Sequence, residues 1–317
     1  MTIANADFSV LVATTLKNYQ PTMADNVSQH IPTLNYFKTK GMVLEDGGST
    51  LVEPLMHEFV PVTSYSGAET ISLANQEGIS AAEYNWKNIV TSVVILHDER
   101  NKNSGSKQQV LNLVKAKTMQ AEASLENAVS EMLFGDGTGN GGKDILGFEA
   151  IISQTPSTGV LGGIDASTNT FWRNIANTSV GSFASGGVAA ISTALRQTQR
   201  GTDRVDLLVT GSTIFGYMMS TAYNRSFLDN PKLADLGFTA LKFEGVDVIY
   251  DANCPADRIY GINSRWLKMK VHPKANFTIG KFIEPADQNL EAAKINLMAQ
   301  LVTGRRQAHF VLSGITA

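Results

Sequence analysis

The sequence is poor in cysteine, in charge and in long apolar runs, and each shortage excludes a class of protein. Cys254 is the only cysteine among 317 residues, so neither an internal disulfide nor a zinc site built from several thiolates is possible. Charged residues make up 17% of the chain and hydrophobic residues 43%, a balance that excludes wholesale disorder. The longest notable apolar run, Val93–Leu96, is far shorter than the roughly 18 residues of a membrane span. The sequence therefore predicts no membrane partner.

Basic charge is scarce as well, which argues against a protein that functions by binding nucleic acid. The chain has 26 Lys and Arg against 29 Asp and Glu, a net charge of -3, and so has no general positive field. Its first basic residue is Lys17, so the basic start of a secretory signal is missing. The length corresponds to one large or two ordinary domains with a sizeable core.

Residues 1–45 have the character of an N-terminal arm. Their later apolar residues follow no sustained period; these are Tyr36, Phe37, Met42 and Val43. A segment with so few core residues needs another surface to lie against. The alternative, an ordinary N-terminal strand and helix on the same domain, stays open.

Two segments, 49–62 and 86–98, are predicted to be extended. Pro54 cannot donate to a strand ladder, which places the first segment at an edge or in a projecting ribbon. The polar stretch 63–85 between them is long for a loop inside a compact domain. Together they predict a two-stranded arm with a wandering tip. Such a ribbon is marginal alone in water and should find a partner surface.

The clearest predicted element is a helix over 106–134. Its apolar residues recur at alternating spacings of three and four along one face. That face consists of Leu111, Val114, Thr118 (a partial exception), Ala121, Leu125, Ala128 or Val129, and Met132. Ser106 with Gln109 forms a capping box, and Gly135 ends the helix. The helix would be about 43 Å long.

Glycine is concentrated after this helix, and an α/β rhythm follows. Residues 135–187 hold 12 of the 27 glycines and are predicted to be mostly loop. The elements predicted next are a helix over 187–200 ended by Gly201, a strand at 206–209, a helix capped by Ser212, strands at 246–250 and 259–262, a half-buried strand at 267–271, and one long C-terminal strand from Ile295 to Leu312.

One glycine-rich segment imitates a nucleotide-binding site. Residues Gly137–Lys143 satisfy G-x-G-x-x-G and the first seven positions of a P-loop. However, Asp144 stands where a P-loop has Ser or Thr, and its charge would oppose a phosphate. The order of elements is also reversed, because a long helix leads into the loop and its negative end faces the glycines. A flexible glycine turn is the favoured interpretation.

The metal-binding patterns are equally incomplete. Asp136, Thr138 and Asn140 resemble part of an EF-hand loop, but the twelfth position is Gly147 instead of Glu. The histidines are scattered and form no H-E-x-x-H or Cys/His cluster; they are His30, His57, His97, His272 and His309. Each is interpreted as a polar-face or interface residue, and no metal is predicted.

No catalytic pattern is present either. The chain has no G-x-S-x-G nucleophile elbow. Asp98 and Glu99 are neighbours on a predicted strand, so their side chains would point apart. Nothing around Cys254 indicates a lowered pKa, and inert packing is expected. No catalytic, cofactor-binding or metal-ligating residue is assigned, and the chain is not predicted to be an enzyme.

Basic residues cluster only locally. They are Arg196, Arg200 and Arg204 beside a predicted helix, and Arg305 and Arg306 near the C-terminus. No aromatic residues are interleaved with them as in base-stacking surfaces. Salt bridges on a solvated or subunit-facing surface are the favoured interpretation.

The order of arm, ribbon, long helix, glycine loop, α/β segment and closing strand resembles the major capsid proteins of tailed double-stranded DNA bacteriophages, which have the Hong Kong 97-like fold. The strings that carry the resemblance are Phe134–Thr138 leading to Ile145–Phe148, then Phe171–Asn174, Leu241–Val248 and Leu267–Pro273. The resemblance covers essentially the whole chain, but none of the strings is a catalytic signature.

The resemblance implies an α+β fold with an N-arm, an extended β-hairpin E-loop, a peripheral domain with a long spine helix, and an axial domain. The implied divisions are 1–45 for the N-arm, 46–103 for the E-loop, 104–165 for the peripheral domain with its glycine-rich loop, 166–267 for the axial domain, and 268–317 for the return strands of the peripheral domain.

The implied function is structural. Pentamers and hexamers of the chain would form an icosahedral shell around packaged double-stranded DNA, which they would contact non-specifically, in a virion assembled in the host bacterial cytoplasm. Implied partners are a portal, decoration proteins and a separate scaffolding protein. The scaffolding protein is expected to be separate because, if the sequence is unprocessed, no room for a scaffolding domain precedes residue 1. Two alternatives stay open: an encapsulin-like nanocompartment shell, and a nucleotide-binding enzyme using residues 137–143.

Some members of this family cross-link a Lys of the E-loop to an Asn of a neighbour. Lys87 is the only Lys between residues 41 and 101, but it lies toward the base of the expected ribbon. No cross-link is therefore assigned.

Overall fold

The computed structural model of the chain describes residues 31–70, 78–102, 107–222, 241–285 and 288–316 and has an α+β architecture. Its strands form one five-stranded sheet, one six-stranded sheet and three two-stranded pairs. The helices are α1 (Pro32–Thr39), α2 (His97–Lys102), α3 (Lys107–Phe134), α4 (Gly139–Gly142), α5 (Phe148–Ile151), α6 (Val188–Thr198) and α7 (Ser212–Ala222). The strands are β1 (Val43–Glu45), β2 (Leu51–Met56), β3 (Ile79–Tyr84), β4 (Lys87–Leu96), β5 (Val160–Leu161), β6 (Ile164–Asp165), β7 (Ile175–Asn177), β8 (Gly181–Ser182), β9 (Leu207–Thr210), β10 (Leu241–Phe243), β11 (Val246–Tyr250), β12 (Ile259–Ile262), β13 (Leu267–Val271), β14 (Thr278–Ile279), β15 (Leu290–Thr303), β16 (Phe310–Leu312) and β17 (Ile315–Thr316).

Residues 31–45 belong to the core and do not form an arm. Helix α1 begins with Pro32, a residue favoured in the first turn of a helix. Four buried apolar side chains anchor this segment: Leu34, Tyr36, Phe37 and Met42. Strand β1 pairs in parallel with β13, with Val43 opposite Met269. The arm prediction is therefore wrong for this part, where the alternative of a helix and strand on the same domain is confirmed. Residues 1–30 lie outside the described residues.

An isolated two-stranded ribbon is present, but its second strand differs from the predicted one. β2 pairs antiparallel with β3 along its whole length, and within the described residues neither strand pairs with another. Pro54 lies in this pair, where a missing ladder donor is tolerated. The segment predicted as the second strand, 86–98, instead provides β4, which pairs with β15. Residues 71–77 of the predicted tip lie outside the described residues.

The long helix predicted over 106–134 is confirmed as α3. It has 28 residues, so it is about 42 Å long. Its predicted capping box is not tested, because Ser106 and the side chain of Gln109 lie outside the described residues.

The buried face of α3 is rotated slightly from the predicted one. Leu113 and Leu133 are buried, whereas Val114 and Met132, which were predicted to face the core, are half-buried. The helix contacts β4, β15 and α5, and these three elements together determine which of its residues are buried. The predicted core positions that are confirmed are Ala121, Leu125 and Val129.

Strand β15 is the centre of the five-stranded sheet. On one side, its C-terminal end pairs with β13 and its middle pairs with β14, and on the other side ten of its residues pair with β4. The predicted half-buried strand is confirmed as β13, whose alternate residues are buried. The prediction of one long C-terminal strand is wrong, because β15 ends at Thr303. A short 3-10 turn at Arg306–Ala308 then leads to β16 in the other sheet.

The six-stranded sheet has the order β10-β11-β9-β12-β16-β7. The predicted elements from 187 to 262 that fall in the described residues are present, with ends shifted by at most two residues. Ser212 is the first residue of α7 and does not precede it as a cap. Gly261 of β12 lies under the Phe310 ring of β16, and any Cβ there would overlap that ring. A side chain at residue 261 would therefore force the two strands apart.

Two buried clusters cover the two faces of this sheet. One face packs in a core shared with α1, α3 and the five-stranded sheet, where Phe37, Phe148 and Trp172 are the large fully buried side chains. The other face packs against α6 and α7 through residues such as Ile191 and Ile214. The sheet is thus buried on both sides within one chain.

Candidate assembly surface

The ribbon β2–β3 is fastened to the five-stranded sheet at its base. The Tyr84 hydroxyl donates to the Thr303 carbonyl at 2.8 Å, and burial raises the pKa of that hydroxyl. Lys270 Nζ lies 2.7 Å from Asp46 Oδ2 and 2.6 Å from Glu53 Oε1. Burial alone would lower the pKa of Lys270, but the two carboxylates outweigh it and raise that pKa. The base is therefore held by both a buried hydrogen bond and a charged pair of contacts.

The side chains of the ribbon alternate between the core and solvent. Leu51, Leu55, Ala82 and Tyr84 are buried, whereas Val52, Met56 and Ile79 are exposed. One more backbone bond, from His57 N to Gly78 O at 2.9 Å, extends the ladder. The His57 ring stacks on Phe171 with centroids 4.8 Å apart. Beyond that contact the chain enters the tip.

The described part of the tip, residues 57–70, exposes large apolar side chains. Phe59 is 84% exposed and Val62 is 97% exposed, and Val60 and Tyr65 are also largely exposed. Soluble chains rarely place several such residues together on a projecting segment unless another surface covers them. The tip is therefore the candidate assembly surface of this chain.

A second exposed apolar area lies on the five-stranded sheet. Val94 of β4 is opposite Ala292 of β15, which in turn pairs with Ile283. Residues directly opposite one another share a face of a sheet, so these three form a row. Val94 and Ile283 are exposed, as are Val90 and Leu96 on the same face of β4.

The glycine segment Gly137–Lys143 has the geometry of a closed turn. The backbone N–H of Gly142 donates to the Thr138 carbonyl at 2.9 Å, and that of Lys143 donates to the Gly139 carbonyl at 3.1 Å. The side chain of Asp144 lies against Gly139, where any Cβ would overlap its carboxylate. The N–H groups of Gly142 and Lys143 are therefore used within the turn, and a negative group stands beside Gly139. The interpretation as a glycine turn is confirmed.

The partial EF-hand pattern also has a local explanation. Asp136 Oδ1 accepts from the Thr138 N–H at 2.9 Å and from its hydroxyl at 2.7 Å. The backbone bond from Thr138 is the main reason why the pKa of Asp136 is lowered. Asn140 donates to Asp144 at 2.7 Å and has a left-handed backbone. These carboxylates stabilise the turn that follows α3.

The described histidines have different surroundings. His272 accepts from the Lys274 N–H at 3.2 Å and meets the edge of Trp86. His309 is fully buried, and burial lowers its pKa to about 3. His97 is at the start of α2 with its Nε2 3.5 Å from Glu284 Oε1. His30 lies outside the described residues.

The predictions for the acidic pair Asp98 and Glu99 and for the thiol of Cys254 have different outcomes. Asp98 and Glu99 lie in α2, so the strand predicted for them is wrong. Glu99 pairs with Lys117 of α3 at 2.6 Å. Cys254 is buried, and burial raises the pKa of its thiol, which confirms an inert packing role.

The two C-terminal arginines are adjacent but have opposite environments. Arg305 forms a salt bridge with Asp203 at 2.9 Å, which confirms the salt bridge predicted for this residue. Arg306 is only 2% exposed, and its guanidinium donates to the carbonyls of Ile151 at 2.8 Å and Trp172 at 3.1 Å. The surface salt bridge predicted for Arg306 is wrong. Its burial lowers its pKa to about 10.

Arg196, Arg200 and Arg204 are all exposed. Arg196 is in the last turn of α6, and the backbone of Arg200 forms an isolated β-bridge with that of Asp203. Lys87, considered for cross-linking, begins β4, and its amine donates to the Gly142 carbonyl of the same chain. No helix in the described part of the chain combines the length and apolarity that crossing a bilayer requires.

The protein-family models and the curated proteins yield no match to this sequence. Solved structures do match it over nearly the whole chain. The capsid protein in the asymmetric unit of cyanophage A-1(L) is similar with a TM-score of 0.71 and 18% identity, covering 95% of this chain and 98% of that one. A structure from Mycobacterium phage Bobi has a TM-score of 0.60 and 12% identity over 96% and 97% of the two chains.

The chain has the Hong Kong 97-like capsid fold. Both matches cover at least 95% of this chain, so the α+β prediction and the predicted fold are confirmed. The SrpI encapsulin of Synechococcus elongatus PCC 7942 is also similar, with a TM-score of 0.53 and 10% identity over 93% of each chain. Identities this low establish a shared fold and leave function to the surfaces of this chain.

Proposed function

We propose that this chain is a major capsid protein, the structural subunit of a closed shell around packaged double-stranded DNA in a tailed phage. The observation that carries the proposal is the projecting ribbon, whose base is bonded to its own chain while its tip exposes Phe59 and Val62. Burying these side chains requires another molecule, and a second copy of the chain supplies one in a shell.

The geometry favours assembly into rings. A ribbon that projects from one subunit and lies on a different surface of the next makes a head-to-tail contact, and such contacts generate rings when the rotation closes. Pentamers and hexamers are the rings that an icosahedral shell needs. The exposed row on β4 and β15, around Val94 and Ile283, is one candidate surface for further subunit contacts.

The divisions stated from the sequence become part of this proposal with one change. Residues 46–103 serve as the E-loop region, 104–165 and 268–317 as the peripheral domain, and 166–267 as the axial domain. An N-arm would be limited to the residues before α1, because 31–45 are built into the core.

The partners proposed for the shell are a portal, a separate scaffolding protein and decoration proteins. DNA would be contacted without sequence preference, in a virion assembled in the host cytoplasm. The proposed role is structural and non-enzymatic, and it requires no cofactor. In the described glycine turn the N–H groups of Gly142 and Lys143 are bonded within the turn, which argues against a phosphate site there.

The direct test is assembly of the full chain, expressed with its genomic neighbours and examined by negative-stain microscopy and sedimentation. We expect closed particles containing DNA from the wild type. The variants Phe59→Ser and Val62→Ser should yield soluble rings or monomers, whereas Val62→Ile, which keeps the apolar surface, should assemble. A monomer of about 34 kDa at all concentrations, or full assembly of the Ser variants, would contradict the proposal.

An encapsulin-like compartment is the second candidate, and the similarity to the Synechococcus encapsulin favours it. Both candidates predict particles, so the contents distinguish them. DNA protected from nuclease indicates a capsid, whereas an enclosed protein cargo without protected DNA indicates a compartment.

A further inference from the structure

Three side chains able to bind a metal converge where β4 ends and β15 begins. They are His97, Glu284 and Glu291, and one ligand atom from each lies within 4.8 Å of the others. His97 Nε2 and Glu284 Oε1 are already 3.5 Å apart. Two ligands of a tetrahedral ion with bonds near 2.1 Å are separated by about 3.4 Å, so small rotations of the side chains would complete the geometry.

The backbone under this cluster is fixed by hydrogen bonds of three chain segments. The His97 N–H donates to the Asn289 carbonyl at 3.3 Å, directly before β15. Glu291 pairs with Ile95 in the β4–β15 ladder. Ile283, next to Glu284, exchanges two backbone bonds with Ala292, one of 2.9 Å and one of 3.0 Å. The three ligands are thus held on paired strands or beside them, as pre-organised sites require.

The burial of the three groups is graded. The side chain of Glu291 is 19% exposed, that of His97 is 25% exposed and that of Glu284 is 63% exposed. Two ligands are therefore partly shielded, and the third lies at the opening toward solvent. This arrangement leaves coordination positions for water on the outer side.

We propose that His97, Glu284 and Glu291 bind one divalent transition-metal ion of the Zn²⁺ class, with water completing the coordination. An imidazole nitrogen with two carboxylates suits Zn²⁺ and its neighbours, whereas Ca²⁺ and Mg²⁺ prefer sites made only of oxygen. The ion would tie the start of α2, just before the spine helix, to β15 and the segment before it. This inference does not depend on the shell function.

One charged neighbour competes with the ion and provides a sharp test. Arg100 of α2 forms an ion pair with Glu291, and its side chain is 47% exposed. If the cluster is only a set of ion pairs, Arg100→Gln has no reason to create metal affinity. If the cluster binds metal, the same variant removes a cation that competes for Glu291 and should tighten binding.

The experiment is titration of the purified, chelator-treated full chain with Co²⁺, followed by its visible absorption, and with Zn²⁺, followed by calorimetry. We expect one saturable site, weakened at least tenfold in Glu284→Gln and in His97→Asn, since even outer-shell changes cost about 10–100-fold. Arg100→Gln should bind more tightly than wild type. Glu131→Gln, an exposed carboxylate on α3, is the matched control and should bind like wild type.

Glu284 is largely exposed, so its variant should fold, and its thermal unfolding without metal should match that of wild type. Added Zn²⁺ should raise the unfolding temperature of wild type and of Glu131→Gln but leave Glu284→Gln unchanged. Absence of saturable binding in wild type would overturn the proposal. So would binding that Glu284→Gln and His97→Asn leave unaltered, since the ion would then be held elsewhere.

Discussion

The six-stranded sheet and the ribbon differ in how completely their apolar side chains are buried. Every residue of β9 and β12 is buried, and both faces of that sheet are covered by the same chain. The strands of the ribbon bury alternate side chains, whereas at its tip Phe59 and Val62 are almost fully exposed. Apolar burial is the main stabilising term in folding, so the sheet contributes to the stability of one subunit and the tip does not.

The difference separates folding from assembly within one polypeptide. A subunit can fold with the tip in water, because the bonds at the ribbon base involve only its own chain, such as Tyr84 to Thr303. In the proposed shell, association would supply the burial that the tip lacks, and that contribution would depend on subunit concentration. Substitutions in the two regions should therefore affect different measurements.

The largest expected effect on folding is at Arg306. Arg306→Ala should destabilise the unassembled subunit by about 3–5 kcal/mol, because it leaves a cavity and deprives buried carbonyls of their donor. Urea unfolding followed by circular dichroism measures this loss.

The neighbouring Arg305 provides the matched control for that experiment. Its salt bridge to Asp203 is partly exposed, so Arg305→Ala should cost about 1 kcal/mol or less. Equal effects of the two variants would contradict the contrast between a buried and a surface arginine.

The next effect is a dependence of subunit stability on pH caused by His309. The Asn263 N–H donates to His309 Nδ1 at 3.2 Å, so the buried ring is neutral, and its pKa of about 3 lies below the ordinary value of 6.5. The unfolded chain binds a proton below about pH 6.5 that the folded chain binds only near pH 3. Stability is therefore full above pH 6.5 and falls with decreasing pH, by about 2 kcal/mol at pH 5.

Unfolding measured in urea at pH 7, 6 and 5 tests this dependence against His309→Gln. The variant lacks the titrating ring, so its free energy of unfolding should fall less steeply from pH 7 to pH 5. The difference in slope should correspond to the uptake of about one proton on unfolding. Identical slopes for both proteins would mean that other groups cause the acid sensitivity. His272, which is near the surface, provides the control variant His272→Gln and should keep the wild-type slope.

A smaller effect is expected at Lys270, which joins the ribbon to the five-stranded sheet. Lys270→Met keeps the length of the side chain but removes its contacts with Asp46 and Glu53. The carboxylates are partly exposed, so the cost should be about 1 kcal/mol in urea unfolding. Hydrogen exchange should rise in β2 and β3 but not in β9. A uniform rise across both would mean that the pair stabilises the whole fold.

Local elements of the fold could be predicted from the sequence because their signals are local. The alternation in β13 and the spacing in α3 both depend on residues within one element. Pairing between distant segments could not be predicted. β4 and β15 are about 200 residues apart, and nothing in either strand specifies the other as its partner. The same limit explains why the sequence predicts one strand where the structure has β15 and β16, since both are apolar and extended.

The presence of a projecting ribbon could be predicted from the sequence, but the residues that form its second strand and its apolar tip could not. The long polar stretch and Pro54 indicated a projecting ribbon, although its apolar tip and its second strand were not identified. The metal cluster gave no signal, since His97 and Glu291 lie in different segments and form no motif. Arg306 was also missed, because a doublet of arginines does not indicate which one is buried.

The smallest expected effect on folding is at the tip itself, and it is the sharpest test of the contrast between the two regions. Phe59→Ser and Val62→Ser should each change the free energy of unfolding of the unassembled subunit by less than about 0.5 kcal/mol, because both side chains are already in water. The same variants should prevent particle formation, so stability and assembly would separate in a single pair of proteins. Ile214→Ser, in the buried cluster under α7, should instead cost several kcal/mol before assembly begins, since it places a hydroxyl and a cavity in the core. A loss of about 2 kcal/mol or more at Val62 would mean that the tip packs on its own subunit, and the distinction between the self-sufficient sheet and the dependent ribbon would fail.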